Sequence, residues 1–145
     1  MIDRPTHRRP ESVLVVIYTR ARECLLLERV TPAGFWQSVT GSLQWDETPR
    51  AAAEREVLEE TGLPGAELVD GQVSHSFTIL PHYRDQYAPG VTENTEYVWY
   101  LQVGKPWPVR LDPTEHTAYC WLPQAEAVAR VSSWTNREAL LKLGE

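Results

Sequence analysis

Glu56, Glu59 and Glu60 are the residues whose type and spacing best suit chemistry. They lie in the stretch Pro49 to Thr61, Pro-Arg-Ala-Ala-Ala-Glu-Arg-Glu-Val-Leu-Glu-Glu-Thr, which reads as a helix. Thr48 supplies an N-cap oxygen, Pro49 suits the first helical position, and Gly62 accepts the left-handed conformation that ends a helix. At about 100° per residue the three carboxylates share one arc roughly 100° wide. Residues three and four apart are neighbours on a helix surface, and like charges there repel. Ala52 and Ala53, on the same side, are small enough to let another group approach. A solvated acidic face is one reading of this pattern. The other is a cation site, since Mg2+ takes oxygen ligands and would turn repulsion into binding.

The preceding loop favours the cation. Thr40-Gly41-Ser42-Leu43-Gln44-Trp45-Asp46-Glu47 leads from a strand into the helix. Gly41 allows close backbone approach, so its carbonyl can reach the same ion. Residues 41–63 read Gly-x5-Glu-x7-Arg-Glu-Val-Leu-Glu-Glu-Thr-Gly-Leu. This resembles the Nudix box, the signature of hydrolases that act on a nucleoside diphosphate linked to another group. Each specified position is filled: Gly41, Glu47, Arg55, Glu56, Val57, Glu59, Glu60, Gly62 and Leu63. The resemblance implies that Glu56, Glu59 and Glu60 are catalytic metal ligands, joined by the Gly41 carbonyl. It casts Arg55 and Glu47 as structural support, paired by a charge-assisted bond. Many family members carry Gly before the first box glutamate; here Asp46 stands there.

Substrate choice has to come from outside the box. Phe35 to Ser42, Tyr87 to Thr92, Asn94-Thr95-Glu96, Thr114-Glu115-His116 and Ser133 to Arg137 are distinctive. Together they resemble the Nudix subgroup that hydrolyses dihydroneopterin triphosphate to the monophosphate and pyrophosphate in folate biosynthesis. That resemblance implies a further role for Glu115, as a metal ligand or as the base that orients the attacking water. It also implies Arg8 and Arg29 as phosphate contacts, Thr40 and Ser133 as smaller donors, and His116 as a donor to phosphate or pterin. Phe77 is a candidate apolar contact for the ring. The implied cofactor is Mg2+, with Mn2+ as a substitute. Other Nudix substrates (nucleoside triphosphates, oxidised nucleotides, dinucleoside polyphosphates) share the box and differ in the ring pocket. A nucleotide-binding module without hydrolysis fits poorly, because every box glutamate is present.

The elements that must hold these residues are legible from periodicity. Ser12 to Tyr18 is a β-branched run that reads as a strand buried on both faces. Cys24 to Glu28, Trp36 to Thr40, Val73 to Leu80, Thr95 to Val103 and Ala118 to Leu122 read as further strands. Val73, His75, Phe77 and Ile79 share one face, as do Tyr97, Trp99, Leu101 and Val103. Trp99 and Trp121 are expected in the core. Besides the glutamate helix, Pro123 to Val131 reads as a helix. Thr135-Asn-Arg-Glu138 matches a capping box that opens a third, running through Leu143. Pro81 to Asn94 is a long connection suited to a lid. Interleaved helices and strands with hairpin pairings predict an α+β fold, an α/β/α sandwich whose mixed sheet has helices on both faces.

The 145 residues fit one domain, spanning residues 1–145. A formal charge of −6 argues against a nucleic-acid partner, yet admits an anionic small substrate where metal ions reverse the local field. The two cysteines, Cys24 and Cys120, form no CxxC pair and sit in apolar runs, which excludes a zinc knuckle and suits reduced core thiols. No apolar run approaches the roughly 18 residues of a membrane helix, and the first ten residues lack the apolar stretch of a secretory signal. The expected compartment is the cytoplasm, with a small triphosphate as partner and no obligate protein partner.

Overall fold

The apolar run after Pro10 forms the centre of a seven-stranded mixed sheet. The computed structural model describes residues 6–65 and 67–143. Strand β1 (Glu11–Thr19) buries both faces, because alternate residues enter two separate cores. β6 (Glu93–Val103) lies parallel to it, from Glu11 opposite Thr95 to Thr19 opposite Val103. β5 (Val69–Thr78) covers the outer edge of β6 in antiparallel register. On the other side, β1 pairs with β2 (Glu23–Arg29) only at Tyr18 and Cys24. The two strands then diverge. β3 (Trp36–Gln37) follows β2, whereas β4 (Val39–Ser42) follows β1, so together they occupy the fork. β7 (His116–Pro123) completes the sheet beyond β2.

Helix α1 (Pro49–Thr61) packs on one face, where Val13, Val15, Ile17, Leu25, Leu27, Trp99 and Leu101 meet Ala52, Ala53 and Val57. The small alanines therefore serve helix-to-sheet packing and are fully buried, so they leave no room for an approaching ligand. Helices α2 (Gln124–Arg130) and α3 (Trp134–Lys142) cover the other face over Leu14, Val16, Cys24, Leu26 and Val98. The layers are those of an α/β/α sandwich.

Several boundaries differ from the sequence reading, each for a local reason. Trp36 to Thr40 is not one strand: it breaks at Ser38, whose N–H donates to Asn136 Oδ1 at 2.7 Å instead of to a strand partner. β5 starts earlier, at Val69, and carries an irregularity between Asp70 and Ser74, with Gln72 at a φ of 56°. The cap of α3 is Ser133 and not Thr135: Ser133 Oγ accepts from the Asn136 N–H at 3.2 Å. The connection after β5 contains a 3-10 turn over Pro81–Gln86 and is tied back by Ile79 N–H to Thr92 O and by Arg84 to Ile79 O. Trp99 is buried, as expected, while Trp121 is half-buried and donates its indole N–H to Trp107 O at 3.1 Å. Both cysteines are free thiols; Cys24 is buried and Cys120 half-buried.

Candidate active site

Helix α1 is anchored at both ends by the residues that its sequence suggested. Thr48 accepts from the Ala51 N–H at 3.2 Å, and Gly62, at a φ of 75°, donates to Leu58 O. Its glutamates meet the end of β4 and the loop before β7. A cavity of ≈ 230 Å³ there is lined by Arg8, Thr40, Gly41, Ser42, Glu56, Glu59, Glu60, Asp112 and Glu115.

The carboxylates lie in very different surroundings. The Glu60 side chain is almost fully buried, Glu56 is nearly so, and Glu59 is exposed. Neither oxygen of Glu60 has a hydrogen-bond partner among the described residues. Burial pushes its carboxyl well above the usual range, and the neighbouring Glu56 and Glu115 carboxylates push it further; the Thr40 backbone opposes this weakly. Glu56 is raised for the same first reason, burial, with Arg55 pulling the other way. Two adjacent carboxylates with too little positive charge between them are what a hard divalent cation stabilises. The donor set therefore fits such an ion. Among the described residues no three ligating side chains converge into a finished cage; Glu56 and Glu59 both accept from Arg55.

Arg55 organises the rest. Its Nε and Nη2 donate in parallel to Glu47 at 2.8 and 2.9 Å, its Nη1 to Glu56 at 2.7 Å and Glu59 at 3.2 Å, and its Nη2 to Ser42 O at 3.1 Å. These bonds hold the Glu47 carboxyl below its ordinary range. They tie β4, the loop and the helix into one unit. Arg9 reinforces it by donating to the carbonyls of Gln44 and Glu47, both at 2.8 Å. That engagement leaves its neighbour Arg8 as the arginine lining the cavity.

Gly41 is required by space. A Cβ there would collide with the Glu56 carboxylate. Opposite, Asp112 forms a tight turn by accepting from Thr114 N–H at 3.0 Å and Thr114 Oγ1 at 2.7 Å. The Asp112 carbonyl also receives the Glu115 and His116 N–H groups, which fixes Glu115 at the cavity rim.

The remaining sequence candidates lie elsewhere. His116 is buried behind Glu60, with Nε2 at 3.7 Å from Glu60 Oε1 and 3.3 Å from Gln37 Nε2. Burial and then the charge of Arg29 lower its pKa, so it is neutral near pH 7. Arg29 pairs with His116 across the strands and lies over the Phe35 ring at 5.4 Å. Phe77 is half-buried on β5 opposite Asn94, and Ser133 is occupied as the cap of α3. None of these four lines the carboxylate cavity.

Sequence reasoning gave Asp112, Gln37 and Glu96 no individual role, although Gln37 and Glu96 lie in segments that it marked as distinctive. Asp112 and Gln37 owe their place to folding alone. Glu96 left a trace: Asn94 and Glu96 occupy the phase of β6 whose next members, Val98 and Tyr100, are apolar. Such a carboxylate is either exposed or buried for a reason, and Glu96 is only 5% exposed.

The NUDIX domain family model matches residues 8–143. The chain is 43% identical over 139 residues to dihydroneopterin triphosphate diphosphatase of Escherichia coli (strain K12), covering 92% of this chain and 91% of that protein. It is 40% identical over 141 residues to the Haemophilus influenzae protein of the same name, covering 94% and 88%. Among solved structures, the E. coli dihydroneopterin triphosphate pyrophosphohydrolase superposes with a TM-score of 0.87 at 40% identity, covering 95% of this chain and 97% of that one. A C. elegans Ap4A hydrolase complex, at 22% identity and a TM-score of 0.72, shares the fold. Nudix hydrolases generally use divalent metal ions. With the box residues gathered around one cavity and the domain matched nearly end to end, this chain belongs to the Nudix family.

Proposed function

We propose that this chain hydrolyses dihydroneopterin triphosphate to the monophosphate and pyrophosphate, as a Mg2+-dependent enzyme of folate biosynthesis in the cytoplasm. The observation that carries the reading is Glu60: a buried carboxylate whose oxygens have no hydrogen-bond partner among the described residues, beside Glu56 and lining a cavity with an arginine on its rim. The similarity to curated diphosphatases over nearly the whole chain supports the substrate.

Glu56, Glu59, Glu60 and Glu115, with the Gly41 carbonyl, would hold the ion. When bound, Mg2+ supplies charge neutralisation at phosphate oxygens and a lowered pKa for a coordinated water. The protein's own residues do the positioning. Arg55 and Glu47 fix the carboxylates in place. Arg8 faces the cavity and meets a distal phosphate, a role that guanidinium geometry suits. Glu59 and Glu115, the exposed carboxylates of the group, are available to accept a proton from water at the rim. His116, buried 3.7 Å from Glu60, stays in this reading as a donor to phosphate or pterin. Arg29 and Phe77 remain substrate contacts in this reading, from positions outside the carboxylate cavity.

Pyrophosphate release with Mg2+ and with chelator, from dihydroneopterin triphosphate and from the four common deoxynucleoside triphosphates, tests the proposal. A kcat/KM at least about ten-fold higher for the pterin supports it, and equal or better turnover of a nucleotide moves the substrate to the nucleotide class. Absence of metal-dependent release from all of them overturns the hydrolase reading.

A further inference from the structure

Trp45 is a large side chain left 47% exposed in the loop between β4 and α1. It fills none of the specified box positions, and it stands beside Asp46, where many family members carry Gly. Its indole N–H donates to His7 O at 2.7 Å. The His7 carbonyl shares a trans peptide unit with the Arg8 N–H, which donates to Gln86 O at 2.7 Å. In a trans peptide the C=O and N–H point to opposite sides of the chain. One peptide plane is therefore gripped from both sides, by the loop before α1 through Trp45 and by the connection after β5 through Gln86.

The residue after Arg8 is held to the same loop. Arg9 Nη1 donates to the carbonyls of Gln44 and Glu47, both at 2.8 Å, and to Trp45 O at 3.3 Å. Trp45 thus donates from its side chain to residue 7 and accepts at its backbone from residue 9. Arg8 lies between, its backbone fixed on both sides. Its guanidinium makes no ion pair among the described residues, and it lines the cavity that holds Glu56, Glu59 and Glu60. An arginine on a loose segment would sample many directions, and ordering it on binding costs free energy. A backbone fixed beforehand lowers that cost.

We propose that Trp45 is a positioning residue for Arg8: its hydrogen bond to the His7 carbonyl, opposed by the bond from Arg8 N–H to Gln86, aims the Arg8 guanidinium at the phosphates of a bound triphosphate. This rests on the reading of Arg8 as a phosphate contact. Trp45 is not among the residues that line the cavity, so it acts through Arg8 and not on substrate. Loss of the grip weakens substrate binding and leaves the chemical step nearly untouched. A purely structural role for Trp45 would work differently. It would support the loop that carries Glu47, the partner of Arg55, and so would act on Glu56 and the metal.

The test is a double-mutant cycle of Trp45→Phe and Arg8→Ala, on dihydroneopterin triphosphate and on dATP with Mg2+. Trp45→Phe keeps an aromatic ring and removes the donor. It is expected to raise KM about five-fold with kcat within about two-fold. In the Arg8→Ala background the same substitution should change KM by less than about two-fold. Trp45→Ala should match Trp45→Phe, because the donor and not the ring carries the role. Two readouts stand apart from activity. Hydrogen exchange at the Arg8 amide should quicken by at least about ten-fold in Trp45→Phe. Calorimetry with Mn2+ alone should give the wild-type affinity. An unchanged KM or Arg8 exchange rate in Trp45→Phe, equal effects in the two backgrounds, or a loss carried by kcat or by Mn2+ affinity overturns the inference. If Arg8→Ala itself leaves KM unchanged, the phosphate reading of Arg8 fails and the inference falls with it. Both substrates carry the triphosphate, so failure of the pterin reading shows as loss of one substrate and leaves the cycle decisive on the other.

Discussion

Gly41 has no side chain because Glu56 occupies the space that one would fill. The strand end and the helix approach each other so closely that the Glu56 carboxylate lies against the Gly41 backbone, where Arg55 Nη1 holds it at 2.7 Å. Gly41→Ala should leave the fold intact, since the obstructed group is the tip of a flexible chain. The displaced carboxylate should weaken Mn2+ binding, measured calorimetrically, and lower kcat/KM by about ten-fold or more. Unchanged metal affinity would separate Gly41 from the cation site.

Glu60→Gln should nearly abolish turnover and yet make the metal-free protein more stable at pH 8. Burial and adjacent carboxylates raise the Glu60 pKa in the folded state. A raised carboxyl favours folding while protonated and ceases to do so as pH rises through its folded value. At pH 8 the wild-type carboxylate is therefore a burden that a bound divalent cation would relieve. Thermal melts with and without Mg2+ should show a Mg2+-dependent rise in wild type and a much smaller one in the variant. A metal-independent melt in wild type would remove Glu60 from the cation site.

Glu96 should impose a pH dependence that can be followed apart from activity. Burial, partly offset by Thr135 and Thr40, lifts its carboxyl from 4.5 to about 7. Its contribution to stability is full below pH 4.5 and is lost as pH rises to about 7 and beyond. The loss is at most about 3 kcal/mol. Glu96→Gln should match wild type in urea unfolding at pH 4.5 and exceed it at pH 8. Equal stability at both values would mean that Glu96 ionises normally.

Arg55→Lys should be far from conservative. A lysine cannot reproduce the parallel pair to Glu47 together with the bonds to Glu56, Glu59 and Ser42 O. A loss of about 1–3 kcal/mol in chemical unfolding is expected, with activity falling further than stability because Glu56 is released. A variant that folds and turns over like wild type would contradict the positioning role.

Arg8→Ala should raise KM by about ten-fold with kcat within about two-fold, an effect that shrinks at high salt. Arg8 lines the cavity, whereas Arg9 is bound to loop carbonyls. Arg9→Ala should instead lower stability. A KM effect from Arg9 and none from Arg8 would reverse the two assignments.

Much of this was written in the chain itself. Short-range chemistry set helix α1, because Thr48, Pro49 and Gly62 act within a few residues of the groups they cap. Alternation set the cores of β1 and β6, because a side chain's face depends only on parity along a strand. The box spacing placed Glu56, Glu59 and Glu60 on one arc for the same local reason. The tertiary structure decided what locality cannot. It buried Glu60, left Glu59 in solvent, set His116 behind Glu60 and turned Ser133 into a cap. It broke the Trp36–Thr40 strand at Ser38, because Asn136 of α3 took the N–H that a ladder would have used. It also brought Thr40 of β4 and Glu60 of α1 to one cavity. Burial and charge proximity arise from contacts between residues distant in the chain, and those contacts fix which carboxylates are costly to ionise.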